Sequence, residues 1–184
     1  MDPIPVTKKK LFVKPRAIQP EESPTLETHL KSKFQELKKI SEWNKSSGYE
    51  KRVCQGTGWS WVNKSHYDCT WSTSKGVMLI ELKKAAGNFW INLGNLAELY
   101  KKPREERDIV MVFFKLNERN KIKVLSKIYT VHVDRLMEFT DMKTNADAII
   151  AMKEFYKKLD CSNHNQLSID CNILDEICDG YIEE

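Results

Sequence analysis

The chain has 184 residues, of which 41% are hydrophobic and 30% charged, a composition that suits one globular domain with flanking segments. No apolar run reaches the length of a membrane span, and the N-terminus lacks the apolar core of a secretory signal, so an intracellular setting, cytoplasmic or nuclear, is expected. The net charge of +4 is unevenly spread: residues 131–184 hold 5 Lys and Arg against 12 Asp and Glu, which leaves 25 against 14 for residues 1–130. A basic body points to a polyanion, most simply nucleic acid, and the bland alternative is a solvated lysine-rich surface.

In chain order, residues 1–22 carry four prolines and the run Lys8-Lys9-Lys10, and read as a flexible basic arm. Ser23-Pro24 offers a helix start, and Leu26, Leu30, Phe34, Leu37 and Ile40 recur at helical spacing, so a helix is expected over 24–43. Residues 52–62 form a Gly- and Trp-bearing stretch. Residues 67–72 and 77–83 read as two strands joined at Thr73–Gly76, a hairpin. A helix is expected from Asn88 to Lys102, stopped by Pro103. The continuous apolar run Ile109 to Phe114 reads as a central strand, with a turn at 117–120 and another strand over 122–133. Residues 142–159 look helical, with Ile149, Ile150, Met152, Phe155, Tyr156 and Leu159 inward. Residues 160–184 read as an acidic C-terminal tail with one short helix near Ile173 to Cys178. A core of 23–159 results, in which a mixed sheet is flanked by helices, the α/β (α+β) class. The five cysteines are an odd number without a CxxC pair, and reduced thiols are expected.

The stretch VMLIELK, 77–83, carries the chemistry. Alternation puts Val77, Leu79, Glu81 and Lys83 on one face of the strand. A hairpin turn centred between Ser74 and Lys75 pairs positions whose numbers sum to 149, which places Asp68 opposite Glu81, with Cβ atoms ~5 Å apart. Two carboxylates so placed repel unless a cation lies between them. Mg²⁺ (or Mn²⁺) takes one or two carboxylates and fills its shell with water and phosphate. Lys83, on the same face, can orient a metal-bound water or stabilise charge on phosphorus. Asp68, Glu81 and Lys83 are therefore the candidate catalytic residues, with an exposed strand end as the alternative.

Around them lie candidate nucleic-acid contacts. His66 shares a face with Asp68 and follows Lys64. Lys45, Lys51 and Arg52 form a basic approach. Trp59 and Trp61 either stack on unpaired bases or pack in the core. Asn88 either holds phosphate or caps the following helix.

Asp68, then Glu81-Leu82-Lys83 on the second strand of a hairpin between two helices, resembles the PD-(D/E)XK nuclease superfamily, and the spacing is similar to that of RecU-type Holliday-junction resolvases. Tyr67 stands where the name of that family has proline, and only some 24 residues separate the first expected helix from Asp68, too few for the junction-entering stalk of those resolvases. The resemblance implies a restriction-endonuclease-like domain over 23–159 and Mg²⁺- or Mn²⁺-dependent cleavage of DNA in preference to RNA, on junction or branched substrates and in recombination or repair. It also implies a homodimer and a further metal ligand on the first helix. Glu27 is the positional candidate, and it equally suits a helix N-terminus. The rival expectations are a nucleic-acid-binding protein without activity, an RNA endonuclease, and an interaction module using the acidic tail.

Overall fold

The computed structural model describes residues 22–62, 66–104, 107–158 and 165–184. The expected basic arm, apart from Glu22, and Lys64 lie outside these residues. The class is as expected, a mixed α/β fold with a six-stranded central sheet.

The first helix, α1 (Leu26–Lys38), starts where Thr25 accepts a hydrogen bond from the Thr28 amide, and it buries Leu26, Leu30, Phe34 and Leu37. A short 3₁₀ turn (Ser41–Asn44) follows. A second helix, α2 (Tyr49–Thr57), occupies part of the stretch that was not expected to be regular. Its buried residues Tyr49, Val53 and Thr57 recur every four positions. Gly48 and Gly58 bracket it at φ of 92° and 77°, left-handed values that glycine adopts without steric cost.

The sheet runs β1 (Ser60–Trp61), β2 (Cys69–Thr73), β3 (Gly76–Ala85), β5 (Arg107–Arg119), β6 (Ile122–His132) and β8 (Gly180–Glu183) in spatial order. Neighbours are antiparallel except β3 and β5, which are parallel. The expected hairpin is present in the expected register, with Cys69 opposite Ile80 and Ser72 opposite Val77. A parallel pair needs a crossover. Here it passes through β4 (Phe89–Asn92) and α3 (Leu93–Tyr100). The single helix expected over 88–102 is thus a strand and a shorter helix. Phe89 and Ile91 alternate inward with Trp90 outward, and Asn92 caps α3 by accepting from the Asn95 amide.

Strand β5 continues through the expected turn to Arg119. The chain reverses at Asn120–Lys121, whose φ values of 52° and 64° fit a two-residue hairpin turn. Two further helices follow, α4 (Val133–Phe139), which was not expected, and α5 (Ala146–Lys158). On α5, Met152 and Phe155 are exposed rather than inward. Residues 165–184 are not a separate tail. Strand β7 (Gln166–Ile169) pairs with β4, α6 (Cys171–Ile177) follows, and β8 completes the main sheet against β6.

Strands β3 and β5 are buried on both faces. Ile80, Leu82, Val110, Val112 and Phe114 meet α1, α2 and Trp43 on one side. Leu79, Ile109, Met111 and Phe113 meet the residues of α3, α4 and α6 on the other. One cysteine expectation is overturned: Cys54 of α2 and Cys69 of β2 form a disulfide, while Cys171 and Cys178 are free. Both cysteines are buried, and the bridge ties the middle of α2 to the first residue of β2.

Candidate active site

In the second half of β3, every other side chain leaves the α1 side of the sheet. Leu82 stays in the core, and Glu81 and Lys83 turn to the opposite face, toward the start of α3. Asp68 lies just before β2. Its amide donates to the Ile80 carbonyl at 2.9 Å, and its Oδ2 accepts from the Leu82 amide at 2.8 Å. That clamp continues the hairpin by one residue and holds Asp68 opposite Glu81, as the register demands.

The Asp68 and Glu81 carboxyls are within hydrogen-bond reach of each other. Lys83 Nζ lies 3.0 Å from Glu81 Oε1, with the Glu81 side chain 18% exposed. Burial pushes the Glu81 carboxyl up to about 7, and the Asp68 charge adds to the rise against the opposing pull of Lys83. Burial also raises Asp68, with the charge of Glu50 adding to it, although the hydrogen bond from Leu82 acts the other way. Two half-buried acids that each resist ionising are a site short of positive charge.

Their donor set fits a hard cation. Among the described residues no group of three or more His, Cys, Asp or Glu side chains is gathered as a cage. A divalent ion held by Asp68 and Glu81 would therefore draw the rest of its oxygen shell from water and phosphate, as Mg²⁺ commonly does.

Two neighbours were not foreseen. Glu50, in the first turn of α2, is near enough for its charge to act on Asp68. Tyr49 donates its hydroxyl to the Leu82 carbonyl at 3.0 Å and ties α2 to β3 between the two catalytic candidates. Burial and the charges of Glu50, Asp68 and Glu81 all hold that phenol un-ionised. Both residues were hidden because the helix that presents them was.

Glu27 is not at this site. Its Oε1 accepts from the Thr130 hydroxyl at 2.7 Å, and its side chain packs on Gly180, where an added Cβ would lie 2.5 Å from it. It lines a different cavity of about 280 Å³ beneath the N-terminus of α1, together with Asp108 and His132. The first helix crosses β6 and β8 rather than the end of β3, so its first turn cannot reach Asp68.

The remaining candidates divide. His66 lines the same recess as Glu81, Lys83 and Asn92, with its Nε2 3.1 Å from Glu98. Burial lowers its pKa, outweighing Glu98. Lys51 lies over the ring of exposed Trp61, 5.3 Å from its centre. Arg52 pairs with Gln55 and Glu42, and Lys45 stands in solvent near Glu42. Trp59 is only 5% exposed and packs beside His29 and Trp71, so it is core and cannot stack on a base. Asn88 precedes a strand, not a helix, and donates to Ser168 Oγ at 3.1 Å. Lys84, on the opposite face from Lys83, holds the Glu42 and Trp43 carbonyls at the end of the 3₁₀ turn.

Among known protein families none has a model that matches this chain, and no curated protein is similar to it.

Proposed function

We propose that the protein is a divalent-metal-dependent endonuclease that hydrolyses phosphodiester bonds in DNA, on a restriction-endonuclease-like fold. The observation that carries this is the Asp68–Glu81 carboxyl pair, both members raised by burial, with Lys83 3.0 Å from Glu81. A bound Mg²⁺ or Mn²⁺ would neutralise the pair, polarise the phosphate and supply an activated water. Asp68 is held for such a role by the Leu82 amide, which donates to its Oδ2 and leaves Oδ1 for a ligand. Lys83 carries a positive charge at the same face, positioned to hold a phosphate oxygen or the attacking water and to stabilise charge as it develops. Glu50 adds negative charge at that end of the sheet and favours a cation. The recess beside the pair is small and walled by Ile91, Leu96, Leu99 and Met111, which limits bulk water.

Lys51, Arg52, Lys45 and Trp61 supply a basic approach for the backbone. Among the described residues no helix is long and apolar enough to cross a membrane. An intracellular setting follows from a nucleic-acid substrate, and the Cys54–Cys69 bridge is then unusual for its compartment. Symmetric cutting of two strands would call for a homodimer.

The test is a labelled panel of duplex, single-stranded, flap and four-way-junction DNA and single-stranded RNA, with Mg²⁺, Mn²⁺ or EDTA. Wild type is expected to cut DNA in either metal and not in EDTA, and Lys83→Ala is expected to lose at least a hundredfold. Binding without cutting in both metals would leave a nucleic-acid-binding protein. Preference for RNA would reassign the substrate.

A further inference from the structure

The two ring nitrogens of His66 have different surroundings. Nε2 faces a Glu98 carboxylate oxygen at 3.1 Å. A carboxylate accepts and does not donate, so the neutral ring carries its proton on Nε2 and presents a bare lone pair at Nδ1. Nδ1 is buried, and among the described residues no protein donor reaches it. Buried acceptors are rarely left so, and this one calls for a donor from outside the chain.

The ring is built in from behind. Glu98 is held from α5, where the Lys153 ammonium donates to Glu98 Oε2 and to Asn95 Oδ1. Lys153 reaches them by crossing α3 at Gly94, where an added Cβ would lie 2.6 Å from the lysine stem. The Asn95 amide in turn donates to the Asn92 cap. Contacts running from α5 through α3 thus set the position of Glu98, and Glu98 faces the ring.

His66 also lines the recess that holds Glu81 and Lys83. Glu98 does not line it, so Nε2 is committed elsewhere and Nδ1 is the ring nitrogen left for the recess. The space there for a water centre is about 10 Å³, the room of one molecule. Ile91, Leu96, Leu99 and Met111 make up the apolar walls and offer such a water nothing. The Asn92 and Asn95 carbonyl oxygens are already taken, by the Asn95 amide and by Lys153. The polar partners that remain are Nδ1 of His66 and the Glu81–Lys83 pair.

We propose that His66 positions the attacking water: Nδ1 accepts one hydrogen of a water in this recess and turns its oxygen toward the phosphate beside Glu81 and Lys83. The inference rests on the proposed nuclease reading, and deepens it by adding a residue that the two acids and the lysine leave out. Glu98 and Lys153 act through His66. The role needs an acceptor at Nδ1 and no change of charge on the ring.

The experiment uses the full chain with His66→Leu, His66→Asn and His66→Gln at pH 8. The asparagine side-chain oxygen falls close to the place of Nδ1, and the glutamine amide close to that of Nε2. The single-turnover rate of DNA cleavage in saturating Mg²⁺ is expected to fall about tenfold in His66→Leu and His66→Gln, the loss of one hydrogen bond, and to stay within about threefold of wild type in His66→Asn. DNA binding in EDTA should stay within about twofold in all three, so that the loss falls on rate and not on affinity. If His66→Leu melts below wild type, the comparison of His66→Asn with His66→Gln carries the test. Apart from any activity, ¹⁵N NMR of ring-labelled wild type should show His66 with its proton on Nε2. A proton on Nδ1, a His66→Asn as slow as His66→Gln, or no loss in His66→Gln overturns the positioning role and leaves Asp68, Glu81 and Lys83 as proposed. A wild type that cuts no DNA in Mg²⁺ or Mn²⁺ overturns both.

Discussion

Replacing Glu81 by glutamine should make the metal-free protein more stable at pH 8 while abolishing cleavage. Burial and the neighbouring Asp68 lift the Glu81 carboxyl from its ordinary 4.5 to about 7 in the folded chain. A raised folded value means stability that is fully present below about pH 4.5 and lost as the pH rises through about 7. At 1.36 kcal/mol for each tenfold, ionising Glu81 in the fold costs ~3 kcal/mol by pH 8. Glutamine is nearly isosteric, stays neutral, and can donate to Asp68 as the protonated acid does, although it gives up the ion pair with Lys83. With that loss set against the gain, Glu81→Gln should melt on the order of 5 °C above wild type at pH 8 in EDTA, and together with it at pH 5. Saturating Mg²⁺ should close the gap at pH 8 by raising wild type alone, because a cation replaces the proton. The assay is differential scanning calorimetry at both pH values, with and without metal. A gap that is the same at pH 5 and pH 8, or a wild type that metal does not stabilise at pH 8, would refute the strained carboxylate pair.

Cleavage by wild type should rise with pH between about 6 and 8, since a proton on Glu81 competes with the metal; a flat profile of the single-turnover rate over that interval would count against Glu81 as a ligand. Glu27→Gln should leave metal-dependent cleavage within about twofold of wild type and lower stability by ~1 kcal/mol through the weakened bond to Thr130, measured by urea titration beside the cleavage assay. Reduction of the Cys54–Cys69 bridge, or Cys54→Ser with Cys69→Ser, should cost ~3 kcal/mol of stability and lower cleavage, because Cys69 follows Asp68 directly and Cys54 belongs to the helix that carries Glu50. Cleavage and melting unchanged by dithiothreitol would contradict that coupling.

The part of the site legible in the sequence is the part set by local rules. A turn at Ser74–Lys75 and strand alternation suffice to bring Asp68 opposite Glu81 and to put Lys83 on the same face, and both hold. The apolar run 109–114 read as a central strand, and it is one, buried on both sides. What escaped was decided by long-range packing. Tyr49, Val53 and Thr57 do form a helical stripe, but Gly56 and Gly58 obscured it, and at Gly56 an added Cβ would lie a tight 3.3 Å from the Leu37 side chain. That Glu27 lies away from Asp68 while the charge of Glu50 reaches it depends on how the two helices pack on the sheet, something no local pattern encodes. Strands β7 and β8 have four residues each and exist through their partners β4 and β6, so their composition alone read as an acidic tail. The same reliance on distant partners hid the disulfide, whose cysteines sit 15 residues apart on a helix and a strand.

That disulfide closes a covalent ring that includes α2's final turn, the exposed strand β1 and Asp68 itself. A protease that cuts the backbone once anywhere between Cys54 and Cys69 would therefore not divide the molecule. The two halves would remain tied at the floor of the site, Glu50 on one and Glu81 on the other, and would migrate as one species until a reductant released them.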